Sequence, residues 1–272
     1  NAIFSVPESV EPHTSVLSLT VPEHPTLKCE HLCPHCIIEH LHQRSQHVAN
    51  KHMKKTDAYR RVVSRVLDEI RTDGIISILV WQPFQPGIGL ECTEAICEEN
   101  ANTLPITAVT SGIGVEGALE LIDLAGVEVF VSLDGDKIEN NKTRPHSRWA
   151  SKPEFTDEEL DALWTGKYPR SRSFNTSVLI PDTTRCSWKT AVDALLALVE
   201  AGQKPKIACM LTRRKSERAL GMISSLPKAL QKKVVIVAHP HFSTSRGSEE
   251  AAPLHTPEEF RDDARRVIDH GH

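Results

Sequence analysis

The chain has 272 residues, 39% of them hydrophobic and 25% charged, which is enough for one large domain or two small ones and too apolar for a disordered chain. Its formal net charge of −4 provides no positive field to collect phosphate backbones, which argues against general nucleic-acid binding. No apolar run approaches the ~20 residues of a membrane helix, and the first 13 residues have neither a basic n-region nor an apolar h-region, so a cytoplasmic protein is expected.

Short β-rich runs alternate with longer amphipathic stretches along the chain. Residues 15–21 form the first expected strand. A helix follows at 56–71, where Val62, Val63, Val66, Leu67 and Ile70 make one apolar stripe before Gly74. Strands are then expected at 75–81, 106–110, 127–133, 174–180, 206–211 and 234–238, and helices at 117–125, 157–163, 188–201 and 216–230. The segment 136–153, rich in Asn, Lys, Arg and Ser, reads as a loop over the active face. Thr256 before Pro257 is an N-cap and first-turn pair opening a last helix. Continuous Val/Ile/Leu strands alternating with helices predict an α/β fold with a parallel sheet covered on both faces. One domain over 1–272 is expected, with a core at about 15–240 and a C-terminal helical segment at 256–272.

Seven cysteines are present, and three crowd into a loop just after the first strand, Lys28-Cys29-Glu30-His31-Leu32-Cys33-Pro34-His35-Cys36. The spacing is C-x3-C-x2-C. Three thiolates on a short loop can hold three irons of a 4Fe–4S cube and leave one iron open to bind a ligand. The other reading is zinc, since His31, His35, His40 and His42 lie close enough to complete a Cys3His site. Cys92, Cys97, Cys186 and Cys209 are scattered, with Cys92 and Cys97 on different sides of an expected helix, and suggest no second cluster.

Later segments bear on that choice. The run Ile78-Leu79-Val80-Trp81-Gln82-Pro83-Phe84 ends the second strand, Ile106-Thr107-Ala108-Val109-Thr110-Ser111-Gly112 the third, and Val127-Glu128-Val129-Phe130-Val131-Ser132-Leu133-Asp134-Gly135 the fourth. With Asn175-Thr176-Ser177-Val178-Leu179-Ile180-Pro181 and the cysteine loop, this series resembles the radical S-adenosylmethionine (SAM) superfamily over residues 15–240. In that family the second strand normally ends in Gly-Gly-Glu-Pro; here Pro83 matches, Gln82 stands where Glu is usual, and both glycines are absent.

The resemblance implies a partial (β/α)6-type TIM-like barrel of parallel strands with its site at their carboxyl ends. It implies a 4Fe–4S cluster held by Cys29, Cys33 and Cys36, and SAM cleaved by one electron to methionine and a 5′-deoxyadenosyl radical that takes hydrogen from the substrate. An electron donor such as flavodoxin or ferredoxin would be the partner. Gln82, Pro83, Gly112, Ser132, Asp134, Asn175 and Ser177 are the candidate cofactor-binding residues. His239 and His241, leaving the last strand on the same side, are candidate acid/base groups. Arg144 and Arg148 are candidates to clamp an anionic substrate group.

A small polar metabolite (a sugar, aminoglycoside or nucleoside-like compound) is the expected substrate, because no cysteine-rich extension follows the last strand. The reaction type, whether dehydration, lyase chemistry, epimerisation or methyl transfer, is left open. Two further readings stand beside this one: a zinc-binding α/β module with a structural Cys/His loop, and a cluster-bearing relative without radical activity.

Overall fold

The computed structural model describes residues 15–20, 60–61, 63–65, 67–68, 75–86, 88–151, 173–174, 177–211, 216–240 and 256–270. Nine strands are assigned among them: β1 (Ser15–Thr20), β2 (Ile75–Trp81), β3 (Ile106–Thr110), β4 (Glu128–Ser132), β5 (Ser147–Ser151), β6 (Ser173–Phe174), β7 (Ser177–Pro181), β8 (Lys206–Leu211) and β9 (Val235–Pro240). The helices are α1 (Ile88–Asn100), α2 (Leu119–Leu124), α3 (Lys137–Thr143), α4 (Ser187–Glu200), α5 (Ser216–Ser225), α6 (Lys228–Gln231) and α7 (Pro257–His270).

Six strands form one sheet in the order β1-β2-β3-β4-β8-β9. Every neighbouring pair is parallel. The spatial order is therefore the chain order, and all six carboxyl ends lie along one edge. This is the βα-repeated, parallel architecture expected from the continuous apolar runs. One face is fully covered, with Ile78, Val80, Ala108, Val129, Val131 and Ile207 buried along it, while Leu79, Thr107, Val109 and Phe130 on the other face are half-buried.

The covering helices present matching stripes. On α4, Ala191, Val192, Ala194, Leu195 and Leu198 are buried at helical spacing. On α1, Cys92, Ala95, Ile96 and Cys97 all enter the core. The two cysteines therefore lie on one broad buried face rather than on opposite sides. Val63 and Leu67, on helical turns ahead of β2, join the same core. At the end of the chain the expected cap forms as a reciprocal pair. The Glu259 N–H donates to Thr256 Oγ1 (3.2 Å) and the Thr256 N–H to Glu259 Oε2 (3.0 Å).

Three expectations are corrected. The run at 174–180 is not the fifth parallel strand. Its strand β7 lies in a separate three-stranded antiparallel sheet of order β5-β7-β6, and β8 takes the place beside β4. A five-residue β-rich run carries no information about its partner, and β8 is the more apolar of the two, with Ile207, Ala208 and Cys209 buried. The segment 136–153 is not a plain loop, since it contains α3 and β5. Asp136 opens α3 by accepting the N–H groups of Ile138 (2.9 Å) and Glu139 (3.0 Å). The helix expected at 216–230 is broken after Ser225, because Pro227 cannot continue it, and restarts as α6.

Candidate active site at the carboxyl edge

The carboxyl ends of β2 and β3 are joined by the Gln82 N–H, which donates to the Val109 carbonyl at 2.8 Å, and by the Gln82 side chain. Gln82, just past β2, has a left-handed backbone (φ 51°), and its Oε1 accepts both the N–H and the hydroxyl of Ser111, each at 3.3 Å. The turn that follows is tight. Pro83 is buried, and its carbonyl accepts the Thr93 hydroxyl of α1 at 2.7 Å. After β3, Gly112 (φ +99°) and Gly114 (φ +76°) approach neighbouring backbone so closely that a Cβ at Gly114 would lie 1.6 Å from the Phe84 carbonyl oxygen. A Cβ at Gly112 would lie 2.8 Å from the Thr190 carbonyl of α4.

The carboxyl end of β4 is built from charge instead. Asp134 is 4% exposed. Its Oδ2 accepts Arg144 Nε at 2.5 Å and its Oδ1 accepts the Met210 N–H of β8 at 3.0 Å. Arg144 is the C-cap of α3, so the carboxylate joins β4, α3 and β8. Asn140, inside α3 and 1% exposed, accepts the Asp134 N–H (3.0 Å) and donates to Ser187 Oγ of α4 (3.1 Å). Asn141 Oδ1 accepts the Ser187 hydroxyl and the Trp188 N–H, both at 3.0 Å, and so docks the first turn of α4. His146 Nε2 reaches Thr190 Oγ1 at 3.1 Å on the same helix.

Gln82, Pro83, Gly112, Ser132 and Asp134 thus share one edge of the sheet, as expected from the sequence. Ser132 is buried at the last position of β4. Asp134 does more than shape a turn with Gly135, since both its oxygens are engaged. Arg144 pairs with Asp134 inside the protein, whereas Arg148, on β5, is exposed. His239 stands at the carboxyl end of β9, paired in register with Met210. Ser177 begins β7 opposite Ser151, away from the parallel sheet. Asn175, His241, Cys29, Cys33 and Cys36 lie outside the described residues. Asn140, Asn141 and Ser187 were not singled out from the sequence, where polar residues in a polar segment carry no sign of burial.

The remaining cysteines are accounted for structurally. Burial pushes the Cys92 thiol up to about 12, with the Glu91 charge adding to the effect. Burial first, then Glu94 and Glu98, raise Cys97 to about 11. Cys209 is raised further by full burial and the Asp134 charge beside it. Burial thus favours the neutral thiol at all three. Cys186 serves as the N-cap of α4, its sulfur accepting the Lys189 N–H at 3.4 Å. Among the described residues no group of three or more His, Cys, Asp or Glu could hold a metal ion. The donor set of Cys29, Cys33 and Cys36, three thiols within eight residues of sequence after β1, fits a thiolate-bound cluster.

No family model and no curated protein matches the chain. Solved structures do. Native anSMEcpe with bound AdoMet superposes with a TM-score of 0.54 at 13% identity, over 94% of this chain and 60% of that one. Streptococcus suis SuiB bound to S-adenosylmethionine gives 0.53 at 12% identity over 95% and 44%, and SuiB bound to precursor peptide SuiA gives 0.54 at 12% over 93% and 45%. This chain thus has the α/β fold of radical SAM enzymes. It spans between 44% and 60% of the length of these proteins.

Proposed function

We propose that the chain is a radical SAM enzyme, with Cys29, Cys33 and Cys36 holding a 4Fe–4S cluster and SAM bound along the carboxyl edge. The observation that carries this reading is the position of β1. It runs parallel to β2, so β1 ends, nine positions before Cys29, on the edge where Gln82, Gly112, Ser132 and Asp134 end their strands. When bound, the cluster and SAM would supply a one-electron cleavage and a carbon-centred oxidant that takes hydrogen from substrate.

The chain's own residues bind and orient. Gln82 and Pro83 shape the backbone at the end of β2, and Gly112 keeps the end of β3 close to α4. Ser132 offers a hydroxyl to the cofactor, and Asp134 holds the end of β4 in register. His239 and His241 are the groups suited to move a proton near neutral pH. The electron comes from a carrier such as flavodoxin or ferredoxin, and a reducing cytoplasm suits a thiolate-held cluster. No helix among the described residues is long and apolar enough to cross a membrane.

The substrate of this reading is a small polar metabolite. A peptide is the second reading, favoured by the complexes of the fold neighbours: anSMEcpe has been captured with Cp18Cys peptide and SuiB with precursor peptide SuiA. Turnover of a panel holding both classes separates the two.

The test of the core proposal is anaerobic reconstitution followed by iron, zinc and 5′-deoxyadenosine analysis. The expected protein is brown, holds about four irons and releases 5′-deoxyadenosine from SAM under reduction; Cys29→Ala, Cys33→Ala or Cys36→Ala removes the iron. Stoichiometric zinc without iron uptake would overturn it in favour of a zinc module. Iron without SAM cleavage under any reductant would leave a cluster protein lacking radical activity.

A further inference from the structure

We infer that Asn140 is a positioning residue for SAM, setting the backbone at the carboxyl end of β4 and, through α3, the place of the Asp134–Arg144 pair. The inference rests on the radical SAM reading above. It begins from an oddity of sequence: asparagine is a poor residue for a helix interior because its amide competes for backbone groups. Here it lies in the middle of the seven-residue α3 and is 1% exposed, and its amide is used at both ends. Oδ1 takes the Asp134 N–H and Nδ2 gives to Ser187 Oγ.

The bonds close a ring. Asp134 is tied to Asn140 by its N–H and to Arg144 by its carboxylate, so the start and end of the 134–144 segment are fastened to each other across α3. Asp134 Oδ1 then ties the ring to β8 through the Met210 N–H. The preceding residue, Leu133, continues the parallel ladder, its N–H on the Ala208 carbonyl at 3.0 Å. Beyond Leu133 it is Asn140, not a neighbouring strand, that accepts the next N–H.

The two halves of the Asn140 amide are not equivalent. Its bond to Ser187 is backed by Asn141, which also holds Ser187 and Trp188. Losing the Ser187 bond therefore leaves α4 docked, whereas losing Oδ1 takes the acceptor from a buried N–H at the site itself. Asn140→Ala and Ser187→Ala separate these effects.

The experiment uses the full chain. SAM affinity is measured by equilibrium dialysis on anaerobically iron-loaded protein, and amide exchange of residues 132–135 is measured on protein without iron or SAM. Asn140→Ala should keep its iron, bind SAM about ten-fold more weakly and exchange faster at 132–135. Ser187→Ala should bind SAM within about two-fold of the parent. Should Asn140→Ala fail to fold, Asn140→Ser, whose hydroxyl is too short to span to Asp134, carries the same expectation. Parent-like SAM affinity in the folded Asn140 variant overturns the inference, and so does an equal loss in Ser187→Ala. Iron-loaded parent that binds no SAM at all overturns the radical SAM reading, and the inference with it.

Discussion

The two halves of the carboxyl edge are fastened by different physics. At the ends of β2 and β3 the contacts are neutral and steric: a glutamine carbonyl shared by Ser111, a left-handed Gln82, and glycines pressed against the backbone of Phe84 and Thr190. At the ends of β4 and β8 a carboxylate of 4% exposure is satisfied by a guanidinium and a backbone N–H, with buried amides behind it. The first half is intolerant of an added atom, and the second is intolerant of a lost partner.

Gly114→Ala should break the steric half and give the largest effect. A methyl 1.6 Å from the Phe84 carbonyl oxygen, on a backbone at positive φ, should cost about 4 kcal/mol or more. Urea unfolding would show this as a shifted midpoint at unchanged slope. A loss under about 1 kcal/mol would mean that the 82–86 turn yields easily and is not rigid. Arg144→Met tests the electrostatic half: it leaves the Asp134 carboxylate buried without its guanidinium, for a loss of about 3 kcal/mol. The double variant Asp134→Asn with Arg144→Met should recover part of it, because no unpaired charge is then buried.

Alkaline titration probes the buried thiols of α1. Cys92 and Cys97 are raised to about 12 and about 11 when folded, from the ordinary thiol value of 9.0. The unfolded chain therefore loses these protons first as pH rises, so their contribution to stability is intact below pH 9 and declines from there toward about 11 to 12. Replacing both by Ala should flatten the alkaline limb of a stability–pH curve; an unchanged limb would assign it to other groups. The smallest effect is expected from Ser111→Ala, about 1 kcal/mol for the shared hydrogen bond. A much larger loss would mean that the Gln82 backbone depends on Ser111 for its conformation.

The parallel sheet was legible in the sequence because Val- and Ile-rich runs at β2, β3, β4, β8 and β9 alternate with helical stretches; full burial of both faces was not, since β3 and β4 bury alternate residues. Caps were legible too: Thr256 and Glu259 bond as their spacing predicts. The partner of β7 was not, since alternating or apolar runs fix which face is buried but not which strand lies alongside. Helix α3 was missed because Asn140, Asn141 and Thr143 lower its intrinsic propensity, and it is tertiary bonds to Asp134 and Ser187 that hold it. Asn140 was passed over for the same reason: a polar residue in a polar segment gives no sign of burial until its partners, six and 47 positions away, are known.

The sequential strand order has a consequence for synthesis on the ribosome. With β1 to β4 in chain order, each strand can pair with the one before it as it emerges. The outer edge of β4 then waits for β8, about 70 residues later, or several seconds at ~5–20 residues per second. Through that interval Val129 and Val131 belong to an uncovered edge strand, the kind of surface that pairs with other nascent chains. The insert that carries β5, β6 and β7 is what lengthens the wait, so this stretch of translation is where a chaperone would have the most to shield.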